Sequence, residues 1–366
     1  MKRILLCSDS FKGTLSSLEI NEIVQNVINN RYKDDFRLTS LPFADGGEGT
    51  LDAIKYIYKD KGQLIEIKTI DAEYNSISAP IYIKDKTAYI EVSKIIGLPN
   101  IKGTIPPLKR TTRGIGIVIN ELIDKNVDTI YVALGGSATN EVGIGMLTEL
   151  GVNFKINEAT ADNIKDIKDI DISKMNPKLL KTKFIVLSDV NSPLTGQKGA
   201  TYNYGPQKGF TYKELNELEI AIYRYQSLME TKLKKKVKNV PCLGAAGGLA
   251  SAFYLFLNAE IKSGIETILD LYDFQSLIKD NDIIITGEGA VDEQSFQGKV
   301  LGGILKYLDD KSKLYVLCGI NRIRKDLGIK IIEITPRSMN KEEGKIKAKQ
   351  LYETALLNLL DSLKTK

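Results

Sequence analysis

The sequence predicts an α/β protein in which largely parallel sheets alternate with helices. Short β-branched, apolar runs such as residues 128–134 alternate with segments of helical periodicity such as residues 111–125. This alternation is typical of parallel sheets covered by helices. The chain of 366 residues is long for a single core, so two domains are expected. Because no linker rich in proline, glycine or serine divides the chain, the sequence favours one domain inserted into another.

The predicted elements follow one another in this alternation along the chain. Ser16 and Glu19 form a capping-box pair at the start of the first helix. Residues 64–69 and 78–83 alternate between apolar and polar side chains, as half-buried strands do. The strands are expected at residues 3–8, 37–43, 64–69, 78–83, 87–92, 128–134, 184–188, 282–285, 313–317 and 330–334, and the helices at 16–29, 50–59, 111–125, 138–150, 211–233, 248–257 and 341–363.

Composition excludes several classes of protein and of mechanism. The chain has no histidine, so a general base must be a carboxylate, a lysine or a tyrosine. Its 3 cysteines lack paired spacing, which favours a reducing cytoplasm over a disulfide or zinc framework. No apolar stretch reaches the roughly 18 residues of a membrane helix, and the first ten residues read as a strand rather than a signal peptide.

Charge indicates what kind of partner to expect. The net charge of +5 fits an anionic small substrate. The basic run at residues 232–238 lacks the interleaved aromatic side chains of a nucleic-acid-binding face. We therefore expect a cytoplasmic protein that acts on a small molecule, with neither a membrane nor nucleic acid as its partner.

Glycine-rich loops with acidic or hydroxyl side chains follow five apolar runs. Such loops build ligand sites at the carboxyl ends of strands in α/β sheets. Their repetition predicts one shared crevice that binds a polyanion. The loops are SDSFKGT (8–14), ADGGEGT (44–50), GGSATNE (135–141), SDVNSP (188–193) and TGEGAVD (286–292).

Carboxylates in two of these loops are candidate ligands of magnesium. Asp45 and Glu48 lie in ADGGEGT, and Glu288 and Asp292 lie in TGEGAVD. Mg²⁺ is a hard cation that prefers oxygen ligands. In ADGGEGT, glycines also let backbone N–H groups approach an anion, which the N-terminus of the following helix favours. The alternative in each loop is a tight turn whose carboxylates cap the backbone.

The loop GGSATNE offers neutral hydrogen bonds. Gly135 and Gly136 would form a nest of N–H groups, while Ser137, Thr139 and Asn140 would bond phosphate or hydroxyl oxygens. A Gly-Gly turn with capping side chains is the alternative. A weaker candidate is GAAGG (244–248), for which a close packing turn is as plausible as a ligand loop.

Asp189 is the candidate catalytic carboxylate. It follows a predicted strand, with Asn191 two residues on, and could orient and deprotonate an alcohol that attacks a phosphoryl group. An Asx turn is the alternative. Lys12 and Lys208 could supply a point charge to phosphate or to a substrate carboxylate, or could be solvated. The predicted substrate- and phosphate-binding residues are Asp9, Ser10, Gly46, Gly47, Gly135, Gly136, Ser137, Thr139, Asn140, Asn191, Lys208, Gly247 and Gly287.

Widespread nucleotide-binding motifs do not fit this chain. The Gly-Lys pair at 298–299 is followed by Val300, and Glu293 stands where a Walker loop requires glycine. No G-x-G-x-x-G follows a strand with the expected acidic residue. Protein-kinase motifs include a histidine, which this chain lacks. A kinase with this sequence belongs to an unusual class.

Seven motifs in order resemble those of the bacterial glycerate kinase family, type I. They span residues 9 to about 300, and their fixed order makes the resemblance specific. The motifs are DSFKGTLS (9–16), ADGGEGT (44–50), GGSATNE (135–141), DVNSPLTGQKGA (189–200), YGPQKG (204–209), GAAGGL (244–249) and ITGEGAVDEQ (285–294).

The resemblance implies transfer of the γ-phosphoryl group of ATP to D-glycerate, with Mg²⁺, giving 2- or 3-phosphoglycerate. It implies catalytic roles for Asp189 and Lys12, and a monomer or homodimer. It also implies two dissimilar α/β domains. A restriction-endonuclease-like domain would contain residues 1–68 and 275–366, and an inserted flavodoxin-like domain would contain residues 69–274.

The chain departs from the family pattern at a few positions. The family usually continues GGSATN with aspartate and two glycines, whereas this chain has Glu141, Val142 and Gly143. Val142 is strained if that position needs a positive φ. Ala290 replaces a frequent arginine, and Leu301 a common proline. A kinase of a related small hydroxy acid and a non-catalytic ligand-binding relative are therefore the alternatives, and a substrate panel separates them.

Overall fold

The computed structural model describes residues 1–11, 13–237, 240–296 and 299–364 and shows a mixed α/β fold with two sheets. This confirms the predicted α/β class. The strands of the described residues are β1 (Lys2–Leu6), β2 (Phe36–Ser40), β3 (Gln63–Ile70), β4 (Ser76–Lys84), β5 (Thr87–Glu91), β6 (Thr129–Ala133), β7 (Lys183–Leu187), β8 (Glu260–Lys262), β9 (Ile283–Val291), β10 (Leu314–Asn321) and β11 (Lys330–Glu333).

Helices connect most of these strands. The predicted capping box at Ser16 and Glu19 is present, and Thr211 and Glu214 form a second one. No helix in the described ranges has both the length and the apolar character needed to cross a membrane. The helices are α1 (Ser17–Arg31), α2 (Thr50–Tyr58), α3 (Ser93–Ile96), α4 (Arg113–Asp124), α5 (Ile144–Glu149), α6 (Ala200–Tyr204), α7 (Tyr212–Leu233), α8 (Leu249–Phe256), α9 (Gly264–Leu271), α10 (Phe274–Lys279), α11 (Val300–Tyr307), α12 (Lys341–Ile346) and α13 (Ala348–Lys364).

The chain divides into two compact units. The chain-end unit contains Met1–Asp45, Asp52–Ile57 and Ile265–Lys366. The inner unit contains Gly46–Leu51 and Tyr58–Gly264. The predicted domain ranges, 1–68 with 275–366 and 69–274, stay a prediction.

The chain-end unit contains a parallel sheet of five strands in the order β11-β10-β9-β1-β2. Counted within this unit, the order is 2-1-3-4-5, the flavodoxin-like order, and its switch point lies between β1 and β9. The resemblance implied a flavodoxin-like inserted domain, whereas this strand order occurs in the sheet built from both chain ends.

Apolar side chains fix β1 beneath two helices in the chain-end unit. Ile4 and Leu6 of β1 share one buried cluster with Val24 of α1 and with Tyr352 and Leu356 of α13. All five are inaccessible to solvent. Complete burial of this many apolar groups is the main stabilising contribution in a fold of this kind. It holds the carboxyl end of β1 in place at the switch point.

The inner unit contains a sheet of six strands in the order β3-β4-β5-β6-β7-β8. Strands β3, β4 and β5 are antiparallel neighbours, whereas β5 through β8 run parallel. Val132 on β6 and Val186 on β7 are fully buried in one cluster with Ile119 of α4 and Phe253 of α8. The carboxyl ends of the four parallel strands therefore lie along one edge of this sheet.

Two predicted boundaries were wrong, each for a physical reason. Residues 286–291 were expected in a loop, but β9 continues to Val291 because it pairs with β10 over this stretch. The helix expected at 138–150 begins only at Ile144, since Gly143 before it has the left-handed φ of 73°. Pairing partners and local backbone geometry outweighed composition at both places.

Candidate functional site

Three of the predicted loops meet at the carboxyl edge of the six-stranded sheet. The amide of Gly135, after β6, donates to the carbonyl oxygen of Gly46 at 3.3 Å. A Cβ atom on Gly135 would lie 2.4 Å from Cα of Gly47, and one on Gly46 would lie 3.2 Å from the carbonyl carbon of Leu187 at the end of β7. Glycine is therefore required because these backbones touch one another. In a sequence, a glycine needed for close backbone packing cannot be told apart from a glycine that leaves space for a ligand.

The N-terminus of α2 holds a carboxylate of the protein itself. Glu91, at the end of β5, is buried, and its two oxygens accept the amides of Gly49 at 3.2 Å and Leu51 at 2.9 Å. The hydroxyl of Ser93 donates to Glu91 at 2.6 Å. Burial raises the pKa of the Glu91 carboxyl. The sequence predicts a ligand anion at this helix end, but the carboxylate of Glu91 lies there instead. Glu91 was not predicted because its partners lie about 40 residues away in sequence.

The loop GGSATN presents buried polar groups that lack protein partners. Gly136 has a φ of 80°, in the left-handed region that favours glycine. Ser137, Thr139 and Asn140 are all buried. Within the described ranges, the Thr139 hydroxyl and both polar atoms of the Asn140 side chain have no hydrogen-bond partner. Unpaired buried polar groups are rare because each costs about 1–3 kcal/mol, so these groups are candidates to bind a ligand.

Lys208 is buried rather than solvated. Its Nζ donates to the carbonyl oxygen of Thr139 at 2.6 Å and to the hydroxyl of Ser137 at 3.3 Å. Burial and the nearby Arg110 guanidinium lower the pKa of Lys208 to about 7. Lys208 therefore belongs to the GGSATN loop, although about 70 residues separate them in sequence. Arg110, which was not predicted as a site residue from sequence, also contacts the GGSATN loop.

Asp189 follows β7 and is held by a neighbouring loop. The hydroxyl of Ser263, which follows β8, donates to Oδ1 of Asp189 at 2.6 Å. Asp189 is half-buried, whereas Asn191 is exposed. Because the Ser263 hydroxyl holds one oxygen of the Asp189 carboxylate, the orientation of the other oxygen is also fixed. Ser263 was missed from sequence because it stands outside every motif.

Gly247 packs beneath the GGSATN loop. A Cβ atom on Gly247 would lie 2.1 Å from the carbonyl oxygen of Thr139 and 2.7 Å from Cα of Asn140. Its carbonyl oxygen accepts the amide of Val142 at 3.0 Å. This geometry favours the packing turn that was left open for GAAGG. It also explains how the loop is held from below.

Val142 has the positive φ that would strain it. Its φ is 57°, and its side chain is fully buried. A β-branched residue rarely adopts this conformation, because its Cβ substituents crowd the backbone. Next to it, Glu141 is also fully buried, and burial raises the pKa of its carboxyl to about 8. Thr112 and the amide of Gly145 donate hydrogen bonds to that carboxyl.

A second group of predicted residues lies at the switch point of the chain-end unit. The amide of Asp9 donates to the carbonyl oxygen of Gly287 at 3.0 Å, and the Asp9 carboxylate accepts the amide of Ser10 at 2.7 Å. The Ser10 hydroxyl is buried and has no partner in the part of the chain that the structure describes. A Cβ atom on Gly287 would lie 2.3 Å from the carbonyl oxygen of Leu317. Gly287 is therefore needed for the close approach of β9 and β10.

Glu288 is the buried carboxylate of this switch point. Its Oε2 lies 3.4 Å from Nζ of Lys299, whereas its Oε1 is buried without a hydrogen-bond partner among the described residues. Burial raises the pKa of the Glu288 carboxyl, and the charge of Asp292 raises it further. A buried carboxylate oxygen with a second carboxylate nearby is the kind of donor set that a divalent cation takes.

The four predicted magnesium ligands are distributed over both compact units. Asp45 is half-buried in the chain-end unit with Glu288 and Asp292, whereas Glu48 is exposed and belongs to the inner unit. No three Asp, Glu or Cys residues of the described chain are grouped so that they could hold a metal ion. Mg²⁺ in kinase sites usually takes only one or two carboxylates, together with phosphates and water. Lys12 lies outside the described residues.

Comparison with known proteins identifies the family. The sequence model of the glycerate kinase family matches residues 4–364. The glycerate kinase of Halalkalibacterium halodurans is 34% identical over 84% of this chain and 82% of its own length. The glycerate 2-kinase of Escherichia coli strain K12 is 34% identical over 82% of this chain and 81% of its own. A crystal structure assigned to glycerate kinase 2 of Salmonella typhimurium LT2 superposes with a TM-score of 0.77 at 29% identity, covering 100% of this chain and 98% of the other. These matches confirm the predicted kinase: the chain belongs to the glycerate kinase family.

Proposed function

We propose that the protein transfers the γ-phosphoryl group of ATP to a hydroxyl of D-glycerate and releases ADP. Family membership over residues 4–364 gives the reaction class. The observation that carries the site is Asp189, which follows β7 and accepts a hydrogen bond from Ser263 at 2.6 Å beside the glycine loops. The E. coli relative is named a glycerate 2-kinase, which favours 2-phosphoglycerate over 3-phosphoglycerate as the product.

In this proposal Asp189 orients the attacking alcohol. The hydroxyl oxygen of glycerate forms a bond to the γ-phosphorus while the bond from that phosphorus to the bridging oxygen of ADP breaks. The hydroxyl proton passes to Asp189, and from there to solvent. Phosphoryl transfer depends mostly on positioning and electrostatic stabilisation, so a carboxylate of ordinary basicity is sufficient. Ser263 fixes that carboxylate, and the proposed catalytic role of Lys12 is to pair with an anionic group of the substrates.

Substrate oxygens would bind at the glycine loops and at the switch point. The unpartnered Thr139 and Asn140 side chains support this role at the first place, and the unpartnered Ser10 hydroxyl supports it at the second. Gly46, Gly135, Gly247 and Gly287 act by letting backbones approach closely. The remaining proposed binding residues are Asp9, Gly47, Gly136, Ser137, Asn191 and Lys208.

Magnesium is part of the proposal, with Glu288 and Asp292 as its holders. The buried, unpartnered Oε1 of Glu288 fits a divalent cation. When bound, Mg²⁺ would offset charge on the phosphate oxygens of ATP. Asp45 and Glu48 remain proposed ligands. Glu48 is exposed, and Asp45 is half-buried like Asp292.

The finer description of the fold is also a proposal. We infer that the chain-end unit is the flavodoxin-like domain, since its sheet has the 2-1-3-4-5 order. The restriction-endonuclease-like description would then belong to the inner unit, whose sheet is mixed and sequentially ordered. A cytoplasmic location and a monomeric or homodimeric state complete the proposal.

ADP release from purified protein with MgATP tests the function. D-glycerate should stimulate release, while L-glycerate, glycolate and tartronate should stimulate it much less. NMR of the product then identifies the phosphorylated carbon. Stimulation by another acid alone would establish a kinase of a related hydroxy acid. Binding of ATP without ADP release from any acid would establish a non-catalytic relative, for which Val142 and Ala290 are the departures to examine.

A further inference from the structure

Two buried cations from distant parts of the chain contact the same loop. Arg110 is 6% exposed and Lys208 is 4% exposed. Nη1 of Arg110 donates to the carbonyl oxygen of Lys208 at 2.7 Å and to that of Ala138 at 3.4 Å. Nζ of Lys208 donates to the carbonyl oxygen of Thr139 at 2.6 Å. Both positive charges are therefore packed against the segment that carries the unpartnered polar side chains.

Neither cation has an acidic partner within the described ranges. The neighbouring Lys109 and Arg113 pair with Glu158 and Glu149. Arg110 and Lys208 form no such pair, and their contacts are with backbone carbonyl oxygens and one hydroxyl. Buried charges in proteins are normally paired, because their desolvation is costly. Two adjacent buried cations that no carboxylate of the described residues pairs with favour the binding of an anion.

The carboxylate that acts on Arg110 electrostatically is already committed elsewhere. Glu73 raises the pKa of Arg110, although burial has the larger effect and lowers it. The oxygens of Glu73 accept the amides of Lys102 at 2.8 Å and Thr104 at 2.9 Å. Its charge therefore holds the loop at residues 102–105 and only partly offsets the guanidinium. The excess positive charge remains.

Unused hydrogen-bond donors accompany this excess charge. Nε of Arg110, the hydroxyl of Thr139 and both polar atoms of the Asn140 side chain are buried and have no partner among the residues described. The Asn140 oxygen can only accept, whereas Arg110 Nε, the Thr139 hydroxyl and the Asn140 nitrogen can all donate. Arg110 and Lys208 both bond the backbone of the Ala138–Thr139 segment, so the unused donors and the two charges belong to one place. Donors in excess of acceptors, together with net positive charge, select an oxyanion.

We propose that Arg110, Lys208, Thr139 and Asn140 form an oxyanion site, which takes either the carboxylate of the hydroxy-acid substrate or a phosphoryl group of ATP. The guanidinium fork of arginine matches both groups geometrically, and lysine adds a point charge. The inference rests on the proposed function, and it adds Arg110 as a ligand-binding residue.

The protonation behaviour of Lys208 supports the site. Burial and the charge of Arg110 lower the pKa of its ammonium to about 7. A bound oxyanion would raise that pKa again by supplying the missing negative charge. Ligand binding just above pH 7 should therefore be accompanied by proton uptake, which calorimetry in buffers of different ionisation enthalpy detects.

Calorimetric titration of D-glycerate and of ATP, each alone, tests the site. We compare wild-type protein with Arg110→Met and with Arg113→Met, which removes an exposed cation three residues away that has a carboxylate partner. Loss of a charged hydrogen bond should weaken one of the two ligands roughly 10- to 150-fold in Arg110→Met. Arg113→Met should bind both ligands like wild type. Weaker binding of D-glycerate by Arg110→Met identifies the substrate carboxylate as the ligand of the site, and weaker binding of ATP identifies a phosphoryl group.

Two outcomes overturn the site. One is a folded Arg110→Met protein that binds both ligands with wild-type affinity, which would mean that the cations only hold the loop. The other is a wild-type protein that binds neither ligand. Lys208→Met should weaken the same ligand as Arg110→Met. Absence of ADP release from wild-type protein would reject the proposed function alone, because both titrations would still report on the site.

A measurement on wild-type protein covers the case in which Arg110→Met does not fold. The Nε–H resonances of arginine can be followed by NMR during titration with D-glycerate and with ATP, and Arg110→Lys assigns the signal. Binding at the site must shift the Arg110 resonance, because its Nε has no hydrogen-bond partner among the residues that the structure describes. A resonance that stays in place with both ligands rejects the proposal.

Discussion

The carboxyl edges of the two sheets differ in the charge that they hold. The switch point of the five-stranded sheet carries the carboxylates of Asp9 and Glu288, and one Glu288 oxygen has no hydrogen-bond partner in the described part of the chain. The edge of the six-stranded sheet carries touching glycine loops and the buried cations Arg110 and Lys208. In both units a parallel strand ends in a polar loop; the proposed function assigns a cation to the acidic edge and an anion to the edge with the buried cations. Phosphoryl transfer needs both kinds of site.

The two edges also differ in how they are supported. At the six-stranded sheet, the GGSATN loop rests on a fully buried carboxyl, Glu141, and on Val142 with a left-handed backbone. At the switch point, hydrogen bonds continue between β1 and β9 as far as Asp9 and Gly287. The GGSATN loop therefore includes a buried carboxyl and a strained backbone position, and features of this kind are found where a loop is held in one shape for function.

The largest effect is expected from Asp189→Asn at the six-stranded sheet. The amide cannot accept the hydroxyl proton, so kcat should fall roughly 10²- to 10⁴-fold while both substrates still bind. Ser263→Ala should lower kcat by only about 2- to 10-fold, since it removes one hydrogen bond to the carboxylate. Steady-state kinetics with D-glycerate measures both variants. Nearly unchanged turnover in Asp189→Asn would remove this residue from the mechanism.

The second prediction tests the acidic edge. Glu288→Gln removes the charge of the buried carboxylate, so the Mg²⁺ concentration for half-maximal activity should rise by roughly tenfold or more. Glu293→Gln is the matched control, because Glu293 is an exposed carboxylate on the same segment. The measurement is ADP release against Mg²⁺ at saturating ATP and glycerate. Equal Mg²⁺ dependence in the two variants would mean that the acidic edge does not hold the metal.

The α/β class and the polar loops at the ends of the strands could be predicted from sequence, because the patterns that indicate them are local. The alternation of runs gave the α/β class, and the motifs identified Asp189, Thr139 and Asn140 before their surroundings were known. Local pattern failed at residues 286–291, where glycine and glutamate read as a loop but pairing with β10 makes a strand. The order of strands within a sheet has no local signal either, so the 2-1-3-4-5 order of the sheet built from both chain ends could not be predicted from sequence.

The supporting residues could not be predicted for a related reason. Arg110 and Glu91 act through hydrogen bonds to residues about 28 to 98 positions away. Neither lies in a motif, and each resembles an ordinary charged side chain in sequence. Only their burial in the folded chain distinguishes them. Burial of a charged side chain depends on the tertiary fold, which single-sequence patterns do not encode.

The third prediction concerns how the buried Glu141 carboxyl, next to the GGSATN loop, affects the free energy of unfolding. Burial raises the pKa of its carboxyl from the ordinary value of 4.5 to about 8 in the folded protein. The folded state therefore binds an extra proton between these values. The associated stability is fully present below the lower pKa and is lost as pH rises through the higher one, by up to about 1.4 kcal/mol per pH unit.

Glu141→Gln should remove this dependence on pH. Glutamine keeps an oxygen for the amide of Gly145 and offers its NH₂ group to Thr112. Urea unfolding at pH 5, 6, 7 and 8 should show wild type losing stability relative to the variant as pH rises. The opposite contribution of Lys208, whose pKa is lowered, is common to both proteins and cancels. Glu121→Gln, an exposed change on α4, should follow wild type. Parallel curves for all three proteins would show that Glu141 titrates normally.

The smallest expected effect is on the relative stability of the glycine and alanine variants at Val142, which should be the reverse of their order at an ordinary strand position. Val142→Ala loses buried methyl groups but keeps a Cβ atom at a φ of 57°. Val142→Gly loses slightly more apolar burial, about 0.8 kcal/mol, but relieves a left-handed penalty of about 1–2 kcal/mol. The glycine variant should therefore be at least as stable as the alanine variant. At Val132, equally buried but in β6, glycine should be less stable than alanine by roughly 0.5–1 kcal/mol. Urea unfolding compares the two pairs, and the same order at both positions would show that Val142 is not strained.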